Sequence, residues 1–459
     1  MPSGALHDPI LRASRGPLRR PRRTPRRHAG ARHRPRGPPS SYPTRLTTIG
    51  SRVWFAAGDA LGQEPWVTNG TAAGTHRVKD LEPGAGSSNI QFLLPFGTRV
   101  LLSVTTSASG LEPWISNGTP AGTHLVKDIA AGGDSSNPLD ATVVGRIALF
   151  GAYDPVHGSE LWRTDGTKRG TKLVKDIIAG TSSSIPDQFA TLGAKACFSA
   201  VHPSAGQELW RSDGTAKGTR LVKDLNAGAG NSDARDLTRV GSWLVFSAYS
   251  DANGRELYRT DCTPKGTRRI ADLYPGVGNS NPYQFVAIGK RVYFVATTTS
   301  GQALFVSNGT AKGTKRLGTF SDVYGLTAVG SRLYFAAADG VHGTEPWSTD
   351  GTQAGTKLVR DIVVGSGSSY PSPLAGGNGL WFAADDGVHG MELWRATGPS
   401  TAKLVKDIRT GPSGSFGMSG GALLGKNLIL SVDDGIHGQE LWISGGTKAT
   451  TKLLKDIDH

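Results

Sequence analysis

Residues 160–167 read Glu-Leu-Trp-Arg-Thr-Asp-Gly-Thr, and this stretch decides the fold because it recurs along the chain. The first five copies follow one another at intervals of 48 residues, the sixth is degenerate, and three more complete a series of nine. The glutamates that open the intact copies are Glu64, Glu112, Glu160, Glu208, Glu256, Glu345, Glu392 and Glu440. A fixed period of this length is typical of a repeat architecture.

Each copy is predicted to form four short β-strands. Runs of β-branched and aromatic residues are bounded by clusters of Gly, Asn, Asp and Ser. Representative strands are predicted at 256–259, 268–273, 284–288 and 291–296. Four strands in every 48 residues, with no helical period between them, predict the blades of a β-propeller. The alternative, a β-solenoid, usually has shorter coils.

The copies run without a linker from residue 45 to residue 459. We therefore predict an all-β fold, a single closed β-propeller of about nine four-stranded blades, although propellers usually have four to eight. A first strand at 45–49 is expected to complete the sheet of the last blade and so to close the ring.

Proline follows the repeated Glu in three copies, where the other copies have leucine. These prolines are Pro65, Pro113 and Pro346. Proline has no amide hydrogen and cannot donate to a β-ladder, so the position is predicted to be the first residue of its strand or to lie beside a bulge.

Residues 1–44 differ sharply from the repeats. They are rich in Arg and Pro and show no apolar period, which predicts a disordered basic tail. The chain has a net charge of +14, and residues 1–45, with 12 arginines and one acid, account for +11 of it. The rest of the chain is close to neutral, so the high pI does not indicate an anionic partner. Nucleic-acid binding is considered for the tail alone, with a solvated tail as the alternative.

The two cysteines, Cys197 and Cys262, are too few for a disulfide framework and do not form a Cys-x-x-Cys pair. Cys197 is expected to be a small hydrophobe within a strand, and Cys262 replaces the glycine of a turn. The redox compartment is left open. The chain contains no run of 18 apolar residues, so no membrane-spanning helix is predicted. No signal-peptide pattern is visible.

Residues that stand in every copy are expected to do a job that every blade needs, and such a job is usually structural. The repeated tryptophans are predicted to pack between blades rather than to stack on sugar rings. They are Trp66, Trp114, Trp162, Trp210, Trp347, Trp394 and Trp442. The repeated Glu shares a strand face with the Trp and needs a partner if it is buried. The repeated lysines, Lys79, Lys127, Lys175 and Lys223, and turn amides are the candidates.

The Asp-Gly-Thr and Asn-Gly-Thr turns suit a tight reversal, because Asp and Asn bond to nearby amides and Gly accepts a positive φ. Calcium is the one cofactor considered, bound by the turn carboxylates. However, Asn69, Asn117 and Asn308 supply no charge, and the spacing is not that of an EF-hand.

Four histidines share one position shortly before the repeated Glu: His157, His342, His389 and His437. They are predicted to be loop residues rather than metal ligands. Equivalent loops of neighbouring blades should lie too far apart to share a zinc shell, where Zn–N distances are about 2 Å.

The sixth copy breaks the pattern. Ala303 and Phe305 stand in place of the repeated Glu and Trp, and residues 317–319 read Leu-Gly-Thr instead of Val-Lys-Asp. Only 42 residues separate Ala303 from Glu345, so the following loop is shortened. We interpret this copy as a candidate notch for a ligand on one face, with drift in a tolerant blade as the alternative.

The stretch at 160–167, with close copies at 208–215 and 440–447, resembles the signature of the bacterial ELWxxDGT-repeat proteins. The resemblance extends over residues 45–459. It implies a propeller-like fold and a secreted or surface-attached protein, and it implies no general biochemical activity. The chain departs from that expectation in showing no recognisable export signal.

The chain contains no nucleophile elbow, phosphate loop or His-Glu-x-x-His motif, and we assign no catalytic, cofactor-binding or metal-ligating residue. We predict a non-enzymatic binding or scaffold propeller, extracytoplasmic and monomeric, that presents loops to a protein, a glycan or a matrix component. The alternative is a propeller enzyme of glycosidase or lyase type. Its site would need Glu, Asp, His or Tyr side chains of different blades to converge at the axial mouth.

Overall fold

Each of the nine repeats forms one four-stranded antiparallel sheet in a computed structural model, which describes residues 39–415, 417–418 and 420–459. Within every sheet the strands are hydrogen-bonded in chain order. The first strands of neighbouring blades contact one another around the ring, and blade 1 contacts blade 9 in the same way. The predicted all-β, nine-bladed propeller is confirmed. Most of the predicted basic tail lies outside the described residues.

The blades are numbered 1 to 9, and their strands β1 to β36, in chain order. Blades 1 to 3 comprise β1 (Thr44–Ile49), β2 (Arg52–Asp59), β3 (Gly62–Thr68), β4 (His76–Arg77), β5 (Ile90–Phe96), β6 (Arg99–Thr106), β7 (Gly110–Ser116), β8 (His124–Leu125), β9 (Ala141–Val144), β10 (Ile147–Asp154), β11 (Gly158–Thr164) and β12 (Lys172–Lys175). Blades 4 to 6 comprise β13 (Asp187–Leu192), β14 (Lys195–His202), β15 (Gly206–Ser212), β16 (Arg220–Lys223), β17 (Arg235–Val240), β18 (Trp243–Ser250), β19 (Gly254–Thr260), β20 (Arg268–Ala271), β21 (Tyr283–Ile288), β22 (Arg291–Thr298), β23 (Gly301–Ser307) and β24 (Lys315–Thr319). Blades 7 to 9 comprise β25 (Ser321–Val329), β26 (Arg332–Ala338), β27 (Glu345–Thr349), β28 (Lys357–Leu358), β29 (Ser372–Gly377), β30 (Gly379–Asp385), β31 (Met391–Gly398), β32 (Thr401–Lys406), β33 (Gly421–Leu424), β34 (Asn427–Asp433), β35 (Gln439–Ser444) and β36 (Thr451–Lys455).

Helix is almost absent from the described residues. It is limited to one 3-10 turn, Lys448–Thr450. Nothing helical in this part of the chain has the length and hydropathy of a membrane span.

Proline shortens the outermost strand of a blade. The fourth strand has two residues in blades 1, 2 and 7, whose third strands contain Pro65, Pro113 and Pro346, and four to six residues in the other blades. In blade 3 the equivalent Leu161 pairs with Lys175, and a bulge follows it. Proline lacks the amide hydrogen that would extend this pairing. The prediction that this position lies beside a bulge therefore agrees with the copies that have leucine. The prediction that it is the first residue of its strand is wrong.

The ring closes without a shared strand, so the predicted completion of the last blade by residues 45–49 is wrong. Strand β1 pairs with β2 inside blade 1. Closure comes from the residues just before β1. The amide of Tyr42 donates to the carbonyl of Gln439 at 3.1 Å, and the amide and hydroxyl of Ser41 donate to the Glu440 carboxylate at 2.8 and 2.7 Å. These contacts place the end of the predicted tail within the propeller.

The core consists of buried side chains that interlock neighbouring blades. One cluster joins Leu161 of blade 3 to Phe198 and Trp210 of blade 4, and another joins Phe55 of blade 1 to Ile429 of blade 9. Six of the seven repeated tryptophans are buried. Burial of such large rings is a major source of stability, so the predicted packing between blades is confirmed.

A disulfide joins Cys197 in β14 of blade 4 to Cys262 in the turn before β20 of blade 5. Both residues are buried, and the expectation that Cys197 is merely a small hydrophobe is wrong. The pairing was not visible in the sequence because 65 residues separate the cysteines. The two cysteines meet only because the blades stack, which places the second strand of blade 4 beside the turn between strands three and four of blade 5. Cys262 keeps the positive φ, 62°, of the glycine that it replaces.

Candidate functional site

The two faces of the ring carry different connections. Because each blade is an antiparallel meander, the turns between strands one and two and between strands three and four lie on one side, here called the turn face. The turns between strands two and three and the connections between blades lie on the other side, here called the loop face. The candidate functional residues therefore divide between these two surfaces.

On the loop face the repeated Glu is used by the fold. Glu160 is fully buried, and its carboxylate accepts hydrogen bonds from the amides of Ile177, Ile178 and Ser184 and from the Ser184 hydroxyl at 2.6 to 3.3 Å. Burial raises the pKa of this carboxyl, and the donors offset part of the rise. The Glu thus anchors the connection to the next blade. Of its two predicted partners, the amides are confirmed and the repeated Lys is wrong.

The repeated Lys instead reaches the next blade. Lys175 Nζ donates to the carbonyl of Thr219 at 3.1 Å and lies 5.9 Å from the centroid of the Trp210 ring. Ala271 and Gly318 occupy the Lys position in blades 5 and 6. The seams on both sides of blade 6 therefore lack this side-chain link.

The Asp-Gly-Thr turns of the turn face are closed structural units. Asp165 Oδ1 accepts from the amide and the hydroxyl of Thr167 at 2.9 and 2.7 Å, and Gly166 has a φ of 84°. The structural interpretation of these turns is confirmed. The described part of the chain contains no group of three or more His, Cys, Asp or Glu side chains that could hold a metal ion. Calcium stays a prediction for which no donor set is found there.

Each of the four repeated histidines pairs with an Asp of its own loop. His437 Nδ1 lies 2.7 Å from the Asp434 carboxylate, and the other three make equivalent contacts. The hydrogen bond to Asp434 raises the pKa of His437. Burial alone would raise the pKa of Asp434, but the amide and imidazole donors outweigh it and the net shift is downward. The histidines thus remain on separate blades, each with its own partner.

The degenerate sixth copy carries an open cavity of about 500 Å³ on the loop face, here called the notch. In blade 6 Ala303 replaces the buried Glu, and β24 leads to β25 through Phe320 alone. The shortened connection lacks the amide donors that bind the carboxylate in the other blades, so both partners of this interaction are lost together. The polar residues lining the notch are Ser300, Gln302, Thr319, Ser321, Asp322 and Asp339.

The notch has a packed aromatic floor. The Phe320 ring meets Phe335 and Trp347 edge-on, with centroids 5.6 and 5.0 Å apart, and the Phe320 amide donates to the Gln302 carbonyl at 3.2 Å. These contacts fix the base of the cavity independently of any occupant.

One hydroxyl of the notch has lost its usual partner. In other blades a serine that precedes a residue of positive φ binds the buried Glu, as Ser184 does with Glu160. Ser321 occupies the same position, with Asp322 following it at a φ of 52°, but it is exposed and faces a blade without the Glu. The notch therefore offers a hydroxyl that the repeat normally uses internally.

A second cavity, of about 320 Å³, lies at the axial mouth and is lined by residues in or next to the first strands of blades 3 to 6. Its lining includes Asp140 of blade 3 and Asp236 of blade 5. Asp187 of blade 4 lies near Asp140: burial first, then repulsion from Asp140 and Asp233, raises its pKa to about 6. One oxygen of the Asp187 carboxylate is buried and has no hydrogen-bond partner in the described part of the chain. Asp140, Asp187 and Asp233, which stand at the start of blades 3, 4 and 5, thus lie near one another, with Arg235 beside them.

Exposed apolar side chains are concentrated on the loop face. All twelve large hydrophobic residues that are exposed in the described part of the chain lie in its turns, its connections or an adjoining strand end. They are Tyr42, Leu61, Leu139, Tyr153, Val156, Ile185, Val277, Val341, Val364, Tyr370, Val388 and Ile436. Single exposed apolar residues are ordinary, but their restriction to one side distinguishes the loop face from the turn face.

No protein-family model matches the chain, and no curated protein matches it. Among solved structures, the chain is similar to the computationally designed Ika8 protein, with 15% identity, a TM-score of 0.43, and coverage of 77% of this chain and 96% of that one. It is also similar to the β-propeller domain of the Trilobed protease from Pyrococcus furiosus, with 11% identity, a TM-score of 0.39, and coverage of 71% and 97%. A puromycin hydrolase matches with 14% identity and a TM-score of 0.39 over 75% of this chain and 59% of its own length. These similarities carry no argument about activity.

Proposed function

We propose that this chain is a non-enzymatic binding propeller that presents its loop face to a protein or glycan partner. The observation that supports the proposal is the restriction of the twelve exposed apolar side chains to that face. The notch at blade 6 adds a polar recess to the same face. Binding surfaces combine apolar contact area with a few polar groups that fix orientation, and the loop face offers both.

The proposal includes an extracytoplasmic location. Disulfides persist in oxidising compartments and are rare in the cytosol, so the bond between Cys197 and Cys262 supports it. Membership of the ELWxxDGT-repeat family would carry the same expectation, and it stays a prediction.

Site-specific photocross-linking tests the assignment of the loop face. A photoreactive residue in place of Val388, which is 65% exposed, should capture the partner in cells that produce the protein. The same residue in place of Ala72, which is exposed on the turn face of blade 1, is the matched control and should capture nothing. Capture through Ala72 and not through Val388 would overturn the assignment.

A second candidate function, an enzyme of glycosidase or lyase type, is favoured by one observation. Asp187 has a pKa raised to about 6 and lies beside Asp140 at the axial mouth. A carboxyl with such a pKa is suited to general acid catalysis near neutral pH. Cleavage of the captured partner by the chain, abolished by Asp187→Asn while capture persists, would replace the binding scaffold with this candidate.

A further inference from the structure

The turn face is strongly basic over blades 3 to 6, although the propeller as a whole is nearly neutral. Twelve exposed cations lie in the turns of these blades or at the first residue of the strand that follows such a turn. They form what is here called the basic arc: Arg146, Lys168, Arg169, Lys172, Lys217, Arg220, Lys265, Arg268, Lys290, Arg291, Lys312 and Lys315. The same turns contain three acids, Asp165, Asp213 and Asp261, so the net charge of the arc is +9.

The fold does not require these cations. In blade 3 the turn between strands three and four contains Lys168 and Arg169, where the turn of blade 1 has Ala72 and Ala73. Both turns close through the same bonds from Thr to the first Asp or Asn. The turn faces of the other five blades together present six exposed cations. They are Arg52, Lys357, Lys403, Lys426, Lys448 and Lys452. The concentration of charge in blades 3 to 6 is therefore a property of this surface rather than of the repeat.

Acids on the opposite face balance this charge. Of the fifteen acids in blades 3 to 6 and their connections, twelve lie on the opposite face, Asp140, Asp187 and Asp236 among them. A nearly neutral total therefore conceals two faces of opposite sign. Such a separation directs an approaching anion to one side of the ring.

We infer that the basic arc binds a linear acidic polysaccharide. Four consecutive blades repeat their cations at equivalent positions, so a chain with regularly spaced carboxylate or sulfate groups can pair with one blade after another. A membrane surface fits less well, because the large exposed apolar side chains of the described residues all lie on the other face and none is placed to enter a bilayer. A nucleic acid fits less well, because none of the exposed tyrosines is placed on this face to stack on bases and because the disulfide favours an oxidising compartment.

Heparin binding by the full-length chain tests the inference. The parent protein carries serine in place of the eleven arginines of residues 11–37, so that this segment does not contribute. The arc variant reverses charge at one repeat position of blades 4, 5 and 6: Arg220→Glu, Arg268→Glu and Lys315→Glu. The matched control reverses the same position in blades 7, 8 and 9: Lys357→Glu, Lys403→Glu and Lys452→Glu. Both variants change the net charge equally.

We expect roughly tenfold weaker binding for the arc variant and less than about twofold for the control, with both differences shrinking as salt is raised. An equal loss in the two variants would reveal a bulk charge effect, and unchanged binding in the arc variant would exclude the arc, so either result overturns the inference. Tighter binding of single-stranded DNA or of phosphatidylserine vesicles than of heparin and polygalacturonate would overturn the choice of polysaccharide. If charge reversal unfolds the chain, Lys168→Ala with Arg169→Ala, which recreates the turn of blade 1, must weaken heparin binding for the inference to stand.

Discussion

One buried carboxylate in each intact blade couples a sheet to the connection that follows it. Glu160 satisfies three amides and a hydroxyl that would otherwise be buried without an acceptor. In blade 6, where Ala303 replaces the Glu, the connection is also short. The two losses occur together, which indicates that the carboxylate and the connection depend on each other.

Replacing Glu160 with Ala should lower the free energy of unfolding by about 3 kcal/mol, because several buried donors lose their acceptor at once. Urea denaturation followed by tryptophan fluorescence measures the change. The reciprocal variant, Ala303→Glu, introduces a carboxylate where the donors are missing and should also destabilise the protein. A stabilising effect of Ala303→Glu would contradict the mutual dependence.

Because the sequence is repetitive, residues with a structural role could be distinguished from candidate functional residues. Trp162 recurs in seven of the nine copies, and Asp or Asn stands at the position of Asp165 in seven, and their structural roles followed from that recurrence. Asp187 gave no such signal, because it stands outside the recurring motif. Its neighbours Asp140 and Asp233 precede the first strands of blades 3 and 5, and only the arrangement of first strands around one axis brings the three together.

At the scale of a strand, one residue of the third strand sets the length of the fourth. The substitution Leu161→Pro should shorten β12 towards the two residues seen in the proline blades, because the new residue cannot donate to the ladder. Hydrogen exchange followed by mass spectrometry should show faster exchange in the β12 peptide and an unchanged rate in the β16 peptide of blade 4. The blade should remain folded, since blades 1, 2 and 7 tolerate proline. Undiminished protection of β12 would contradict this account.

The strand predictions agree with the structure to within two residues at each end, because glycine-rich turns mark the boundaries. The mode of closure could not be predicted in the same way. Residues 45–49 show the same alternation of side chains whether they join the first sheet or the last. The choice is fixed by contacts of Ser41 and Tyr42 with blade 9, which are distant in sequence.

For the whole ring, the disulfide fastens the seam between blades 4 and 5. Removing it by Cys197→Ala with Cys262→Gly frees a 65-residue loop, which costs about 4 kcal/mol in the chain-entropy model. Glycine at 262 returns about 1 kcal/mol, because it accepts the positive φ without strain. Calorimetry should show that reductant lowers the melting temperature of the natural chain and leaves that of the variant unchanged. If full reduction leaves the melting temperature of the natural chain unaltered, the seam does not depend on this bond.

The charge separation between the faces also belongs to the whole molecule. Summed along the sequence, the repeats appear nearly neutral, because each copy contributes cations to one face and acids to the other. The meander assigns alternate turns to opposite sides, and only that assignment reveals the basic arc. Net charge was therefore a poor guide to partners in this chain.

Closure with no strand shared between blades 1 and 9 has a consequence for the history of the molecule. Each genetic repeat that begins at a first strand corresponds to one complete sheet, so duplication or loss of such a unit leaves every ladder whole. Unequal recombination within the gene would then add or remove a blade in one step. A ring closed by a strand shared between its first and last blades would have to preserve both of those blades through every such event. The number of blades in this architecture is thus open to inherited variation.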